Sequence, residues 1–254
     1  MMKTYVVANQ KGGISKTTTS IALADILKRR GNSVLFIDAD QQGNATDTFK
    51  GEIEGMPTLY DVLLGDHIKA SEAIQKTING DIIASDPLLR EADSKLSSDP
   101  EGEYRMSMAL EGLEGYDYVV IDTAPALNWI LRNCLVAADE VIIPVTADRY
   151  GLQGLASLAE TIGVIRKRQN KGLSVAGLLL TKYNGRTNLS REIKDNLEEI
   201  ASSMDTKLFD TTIRESVKVR EAQAMRKMLF DYAKNCSSAL DYEDFVDELT
   251  EGED

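Results

Sequence analysis

Residues 11–18 read Lys-Gly-Gly-Ile-Ser-Lys-Thr-Thr and lie between a β-branched run, Lys3 to Ala8, and a helical pattern that ends near Gly31. This setting predicts a strand, a glycine-rich loop and a helix in succession. Glycines let backbone N–H groups turn inward, and the helix N-terminus adds partial positive charge. Lys16 can neutralise phosphate charge, and the Thr17 hydroxyl can ligate Mg²⁺. The stretch therefore predicts a phosphate loop, in preference to a glycine-rich turn capped by threonines.

Further short apolar runs follow, and each ends in polar side chains. They cover 33–37, 116–121, 140–145 and 174–180, and they lead into Asp38, Asp122, Thr146 and the pair Thr181 and Lys182. Another strand is expected at 81–84, amphipathic helices at 152–169 and 189–203, and small helices within 50–110. This alternation predicts an α/β fold of the P-loop NTPase type, a mostly parallel twisted sheet with helices on both faces. Because ligands bind at the carboxyl ends of parallel strands, the polar ends are expected to converge.

The loop departs from the ordinary GxxxxGK[ST] pattern, because Gln10 and Ser15 occupy the positions of the outer glycines. Its KGGxxKTT arrangement resembles the deviant phosphate loop of the ParA/MinD superfamily of ATPases. The resemblance implies ATP and Mg²⁺ as cofactors, with Lys11 reaching across a dimer interface to the partner's nucleotide. The implied nucleotide-binding residues are Lys11, Gly12, Gly13, Ile14, Ser15, Lys16, Thr17 and Thr18. A Cβ at Ser15 is expected to cost about 1 kcal/mol where the backbone needs positive φ.

Two aspartate-containing segments are similar to the switch segments of the same superfamily. Residues 38–46 resemble its DxDPQGNAT switch with Gln41 in place of proline, and residues 116–125 resemble its DxPP segment, with a second switch over 126–132. The resemblance implies that Asp40 orients the attacking water, while Asp38 and Asp122 join Thr17 around the metal. The implied catalytic residues are Lys11, Lys16 and Asp40. Taken alone, each aspartate could instead cap a turn or a helix.

The C-terminal half carries a concentration of basic residues. Segments 186–191 and 213–222 resemble the two segments by which partition ATPases present basic residues to DNA, and 142–155 is similar to a further segment of these ATPases. The implied DNA-binding residues are Arg186, Arg191, Arg214, Lys218 and Arg220. Between residues 166 and 234, 15 basic residues face 9 acidic ones despite the net charge of -12. Phosphate contacts of this kind give salt-sensitive binding without base reading, although any one residue could be an ordinary surface charge.

Length and composition limit the remaining possibilities. We predict a single P-loop ATPase domain over residues 1–246 and a frayed acidic tail over 247–254. No apolar run of about 18 residues and no signal-peptide order occur, which predicts a cytoplasmic protein. Cys134 and Cys236 lack the spacing of a disulfide framework or a metal site, and His67, the only histidine, is expected at the surface. No Ser/His/Asp set is therefore available.

Taken together, the resemblances imply an ATP-dependent DNA partition ATPase for a plasmid or chromosome. The resemblance implies an ATP-bound homodimer that binds non-specific double-stranded DNA, so that ATP-bound molecules associate with the nucleoid. It also implies a ParB-like centromere-binding protein that stimulates hydrolysis. A membrane role is disfavoured, because the terminal sequence DYEDFVDELTEGED lacks the basic face that anionic lipid would attract. The alternatives are a small-molecule amide-forming ligase or another ATP switch of the same superfamily.

Overall fold

An eight-stranded sheet forms the centre of the structure, which is a computed structural model. The structure describes residues 2–65, 68–147, 154–184 and 188–251. In the last range, side chains are described from Ile193 onward. The strand order is β3-β4-β2-β5-β1-β6-β7-β8, and every neighbouring pair is parallel except β3 with β4. The strands are β1 (Lys3–Val7), β2 (Val34–Ala39), β3 (Ile74–Thr77), β4 (Gly80–Ile83), β5 (Tyr118–Thr123), β6 (Glu140–Thr146), β7 (Ser174–Tyr183) and β8 (Leu208–Arg214).

Helices cover both faces of this sheet. They are α1 (Lys16–Arg29), α2 (Asn44–Phe49), α3 (Leu59–Leu64), α4 (Ala70–Ala73), α5 (Leu89–Ser98), α6 (Arg105–Leu110), α7 (Trp129–Ala137), α8 (Leu155–Arg168), α9 (Asn188–Ser203), α10 (Val217–Ala224), α11 (Leu229–Ala233) and α12 (Ser237–Thr250). One apolar core joins the sheet to α1, α2, α10, α11 and α12, and the other joins it to α3–α9. Within the described ranges, no helix has both the length and the apolar character needed to cross a membrane.

The predicted α/β class is confirmed, because the buried apolar runs form the inner strands. All six residues of β2 are buried, as expected for a parallel strand that is covered on both faces. The runs at 3–8, 33–37, 81–84, 116–121, 140–145 and 174–180 all form strands, with ends that differ by a few residues. Short helices and two strands occupy the region 50–110.

Two strands, β3 and β8, were not predicted, and both lie at an edge of the sheet. In β8 only Phe209 and Ile213 are buried, and polar residues stand between them. Edge strands face solvent along one side and need no continuous apolar run, so their sequences lack the pattern that marks the inner strands.

The prediction of a frayed tail from residue 247 is wrong for the described residues. Helix α12 continues to Thr250, so the predicted boundary at residue 246 falls inside a helix. Phe245 and Leu249 are buried, and the Glu248 carboxylate accepts hydrogen bonds from the backbone N–H groups of Asp210 and Thr211, both at 2.9 Å. Apolar packing and this contact to β8 hold the acidic helix against the sheet.

Candidate nucleotide-binding site

The carboxyl ends of the central strands bring two of the predicted aspartates side by side. Asp38 and Asp122 are direct partners in the parallel pairing of β2 with β5, and Val7 at the end of β1 pairs with Asp122. The phosphate loop leaves β1 at the same edge and leads into α1. The expected convergence of polar strand ends is therefore confirmed for β2 and β5.

Lys16 is the first residue of α1 and lies largely buried beneath the loop. Its Nζ donates a hydrogen bond to the Lys11 carbonyl oxygen at 3.0 Å. Burial lowers the pKa of Lys16, and the negative charges of Asp122 and Asp40 oppose that shift. A buried ammonium beside carboxylates is well placed to meet a phosphate group at the start of a helix.

Ser15 adopts the left-handed backbone conformation that the sequence led us to expect. Its φ is 72° and its ψ is 20°, and it precedes α1 as the N-cap residue. The side chain makes no capping hydrogen bond to the helix, and it lines the cavity beside the loop. The hydroxyl is therefore placed where a bound phosphate could accept its hydrogen bond.

Asp38 is fully buried and holds the first switch segment in place. Its Oδ2 accepts hydrogen bonds from the Thr46 N–H at 2.7 Å and the Thr46 hydroxyl at 2.8 Å, and its Oδ1 accepts from the Asp40 N–H at 3.1 Å. Burial raises the pKa of Asp38, and the two hydrogen bonds from Thr46 oppose that shift. Both oxygens accept hydrogen bonds from the protein, so Asp38 supports the backbone of the segment 38–46.

Asp122 has one carboxylate oxygen that the described residues do not satisfy. Its Oδ1 accepts a hydrogen bond from the Ser20 hydroxyl at 3.0 Å, whereas the buried Oδ2 has no hydrogen-bond partner in that part of the chain. Burial raises the pKa of Asp122, the charge of Asp38 adds to the shift, and the hydroxyls of Thr17 and Ser20 oppose it. A buried oxygen without a donor favours a cation.

Thr17 and Asp122 fit a magnesium ion that arrives with a nucleotide. No group of three His, Cys, Asp or Glu side chains among the described residues could hold a metal by itself. Mg²⁺ needs no such group, because it commonly takes one or two protein ligands and completes its shell with phosphate oxygens and water. The Thr17 hydroxyl lines the cavity, and Asp122 supplies the unsatisfied carboxylate oxygen.

Asp40 and Lys11, the other predicted catalytic residues, lie at two sides of the loop. Asp40 lines the cavity, and its Oδ1 accepts a hydrogen bond from the Gln42 N–H at 3.0 Å. The Ser85 hydroxyl also donates to its carbonyl oxygen at 2.6 Å, so the segment is held from both sides. The Nζ of Lys11 lies 3.2 Å from the Thr146 hydroxyl at the end of β6.

A cavity of about 480 Å³ joins these elements. Its walls include the phosphate loop, Asp40 and Asn44 of the segment 38–46, and Pro125 at the end of the segment 116–125. The opposite wall comes from the end of β8 and from α10, with Ile213 and Val219 as its apolar part. The volume falls within the range of small-molecule sites, and phosphate-binding and apolar walls together suit a nucleotide.

Comparisons with known proteins agree with this geometry. Residues 2–175 match the AAA domain family. The chain is 35% identical over 246 residues to the chromosome partitioning protein ParA of Caulobacter vibrioides (strain NA1000 / CB15N), covering 95% of this chain and 91% of the relative. It is also 35% identical over 255 residues to the sporulation initiation inhibitor protein Soj of Bacillus subtilis (strain 168), covering 98% of each. The chain belongs to the ParA/Soj family of partition ATPases.

Solved structures place the ParA/Soj chain among ATP-binding P-loop NTPases. An ATP complex of a McdA variant from Cyanothece has a TM-score of 0.86 at 28% identity, covering 98% of this chain and 96% of that one. Cobyrinic acid a,c-diamide synthase from Mycobacterium smegmatis, solved with ADP and magnesium, has a TM-score of 0.83 at 29% identity, covering 97% and 93%. The ParA/Soj chain is accordingly an ATP-binding P-loop NTPase.

Of the five residues that we predicted for DNA binding, the structure describes the side chains of Arg214, Lys218 and Arg220. The Arg214 guanidinium pairs with the Asp241 carboxylate, with Nη2 2.5 Å from Oδ1. Arg214 and Arg220 both line the nucleotide cavity. The exposed Lys218 has its Nζ 2.8 Å from the Glu221 carboxylate. Arg186 lies outside the described residues, as does the side chain of Arg191.

Several site residues of the ParA/Soj chain carried no prediction of a role. Gln223 on α10 donates to the Thr18 hydroxyl at 2.9 Å, and Arg226 lies 3.2 Å from the Asp47 carboxylate at the cavity mouth. Lys182 was recognised from the sequence as a polar residue that follows a strand. Its contact with the phosphate loop could not be predicted, because it depends on the fold. His67 and residues 148–153 lie outside the described residues.

Proposed function

We propose that this chain is an ATP-dependent DNA partition ATPase for a plasmid or chromosome, in which ATP gates a homodimer that binds non-specific double-stranded DNA. One observation carries the proposal. A single cavity is walled on one side by the phosphate loop and first switch, and on the other by α10, which bears Lys218. A nucleotide in this cavity would contact both the phosphate loop and α10. Its loss would change the surroundings of α10, which carries Lys218.

The site residues would divide the work of ATP hydrolysis among them. Lys16 neutralises the β- and γ-phosphates, and Asp40 orients the attacking water. Thr17 and Asp122 would hold Mg²⁺, with Asp38 supporting the switch behind them. A bound Mg²⁺ would supply positive charge to the phosphates. By resemblance, Lys11 serves the nucleotide of the partner subunit in the dimer.

The DNA-binding surface that we propose differs from the one we predicted from the sequence. Arg214 is left out, because the buried Asp241 carboxylate pairs with its guanidinium and the residue lines the nucleotide cavity. Arg220 also lines that cavity and would belong to both sites. Lys218 remains, because its partner Glu221 is itself partly exposed and such a surface pair is weak. Arg186 and Arg191 are its proposed companions. Contacts from such residues to phosphates would give binding that depends on salt and not on sequence.

A partner protein would decide where hydrolysis takes place. Relatives of this chain bear the names of chromosome partitioning proteins, which supports a ParB-like, centromere-binding partner that stimulates ATP hydrolysis. ATP-bound dimers would then occupy the nucleoid within the cytoplasm and leave it where the partner is concentrated.

The decisive experiment measures binding of the purified protein to a non-specific duplex with ATP, with ADP and without nucleotide, across a salt series. We expect binding with ATP that falls as salt rises. Lys16→Ala serves as the control, because loss of its ammonium should abolish nucleotide binding and thereby DNA binding. Absence of DNA binding under every condition, with ATP still bound by the wild type, would contradict the partition role.

The second candidate is an amide-forming ligase that acts on a small molecule. The likeness to cobyrinic acid a,c-diamide synthase favours it, with a TM-score of 0.83. McdA superposes somewhat better at 0.86, and partition proteins cover nearly the whole chain at 35% identity, so we rank partition first. ATP turnover that depends on a carboxylic acid and ammonia or glutamine, without DNA binding, would reverse that order.

A further inference from the structure

The end of β7 contacts the phosphate loop through two consecutive side chains. The Thr181 hydroxyl lies between the Ile14 carbonyl oxygen at 3.0 Å and the Val145 carbonyl oxygen at 3.1 Å, and the Lys182 ammonium donates to the Gly13 carbonyl oxygen at 2.7 Å. Thr181 is fully buried, whereas Lys182 is exposed and lines the nucleotide cavity. Two neighbouring peptide groups of the loop are thus held from a strand that is far away in sequence.

These contacts determine which way the loop presents its N–H groups. In a planar trans peptide, the carbonyl of one residue and the N–H of the next point in opposite directions. With the carbonyls of Gly13 and Ile14 turned toward β7, the N–H groups of Ile14 and Ser15 point away from it. Neither N–H has a hydrogen-bond acceptor among the described residues, so both remain available to phosphate oxygens.

The backbone at Lys182 is unusual for a lysine within a strand. Its φ is 52°, which lies in the left-handed region, and the register of β7 with β8 shifts between Thr181 and Tyr183. Such irregularities at strand ends redirect a side chain and are often found at functional sites. In the described part of the chain no carboxylate lies within ion-pair distance of the Lys182 ammonium, so its charge is left for an anion in the cavity.

We propose that Lys182 is a positioning residue of the nucleotide site, a third lysine at the phosphate loop beside Lys11 and Lys16. It holds the Gly13–Ile14 peptide with its N–H group available to phosphate, and Thr181 supports the next peptide through a hydroxyl that it shares with the Val145 carbonyl oxygen of β6. Lys182 also adds positive charge to the wall that receives the phosphates. The inference rests on the proposed ATP binding and adds the residues that orient the loop.

Lys182→Met tests the role of the ammonium, because methionine keeps much of the length and removes the donor and the charge. We expect the Kd for a fluorescent ATP analogue with Mg²⁺, and the KM for ATP, to rise about tenfold, while kcat changes little. Lys182→Arg should recover most of the affinity, because a guanidinium can donate to the same carbonyl. Lys76→Met, at an exposed strand lysine on the far edge of the sheet, should bind ATP like the wild type.

Thr181→Val is the second variant, and it keeps the shape while removing the hydroxyl that contacts the Ile14 carbonyl. It should also raise the Kd, and it decides the matter if Lys182→Met fails to fold. Wild-type affinity in both variants would overturn the inference, as would a fall in kcat with unchanged KM. Failure of the wild type itself to bind ATP would instead overturn the proposed function.

Discussion

The backbone of Ser15 stores strain at the centre of the phosphate loop. A serine at φ 72° costs roughly 1 kcal/mol relative to glycine, because its Cβ approaches the following carbonyl oxygen. Ser15 is the residue that enters α1, and its N–H is one of the two that the loop leaves without a protein acceptor among the described residues. The strain is therefore placed where a phosphate would bind.

Ser15→Gly is expected to stabilise the protein without nucleotide. Glycine relieves the left-handed strain, and its greater freedom in the unfolded chain offsets part of that gain, leaving a rise in Tm of about 2 °C by calorimetry. The control is Ser94→Gly at an exposed position inside α5, where glycine should lower Tm by a similar amount. A fall in Tm for both variants would show that the Ser15 hydroxyl stabilises the empty loop.

Asp40→Ala separates ATP binding from ATP hydrolysis. Asp40 lines the cavity, but the proposed contacts to the phosphates and to Mg²⁺ come from Lys16 and Thr17. ATP affinity should therefore change little. Loss of the group that orients the water should slow hydrolysis by about 100-fold or more, and ATP-bound dimer should accumulate. Single-turnover hydrolysis and sedimentation with ATP measure the two effects. Normal turnover in this variant would remove Asp40 from the mechanism.

At the scale of elements, the sequence predicts the inner strands and the phosphate loop, but not the contacts between distant segments. β1 and β2 are recognisable because both of their faces are buried, and the loop because glycine, lysine and threonine follow one another between a strand and a helix. The pairing of Arg214 with Asp241 joins β8 to α12 and leaves no local pattern. The contact of Lys182 with Gly13 spans 169 positions and likewise depends on the fold.

Asp241 is a buried carboxylate that joins the acidic helix α12 to β8, in addition to the contact made by Glu248. Asp241 accepts hydrogen bonds from both the backbone N–H and the guanidinium of Arg214, and it is 6% exposed. Asp241→Asn removes the charge and leaves the guanidinium without its counterion. We expect a loss of about 1–2 kcal/mol in the free energy of unfolding, measured by urea denaturation without nucleotide.

Asp247→Asn on the same helix is the matched control for that loss. Asp247 pairs with Arg30 at 2.6 Å, but both side chains are substantially exposed. Such a surface pair contributes at most about 1 kcal/mol and often nothing measurable. Equal losses from the two variants would mean that burial of Asp241 does not strengthen its pair.

At the scale of the whole molecule, the nucleotide cavity lies between the phosphate loop near the start of the sequence and a segment in its last quarter. Residues from 12–18 form one wall and residues from 213–226 form the other. Gln223 contacts Thr18, and Arg226 contacts Asp47. An exposed ion pair such as Arg226 with Asp47 is weak by itself. A nucleotide that contacts both walls adds its own binding energy to their association, so ATP is expected to order α10 relative to the first switch.

A double variant, Arg186→Ala with Lys218→Ala, tests whether α10 and the segment 186–191 form the proposed DNA surface of an otherwise acidic molecule. In the presence of ATP, DNA affinity should fall by a similar factor on two duplexes of unrelated sequence. The slope of log K against log salt should decrease by about 0.9 for each DNA phosphate that the variant no longer neutralises.

Lys76→Ala with Arg90→Ala removes the same charge from exposed positions on β3 and α5 and should leave that slope unchanged. ATP affinity is measured in both variants, because Lys218 shares its helix with Gln223. Unchanged DNA affinity in the first variant would refute the surface, and an equal loss in both would reduce the effect to net charge alone.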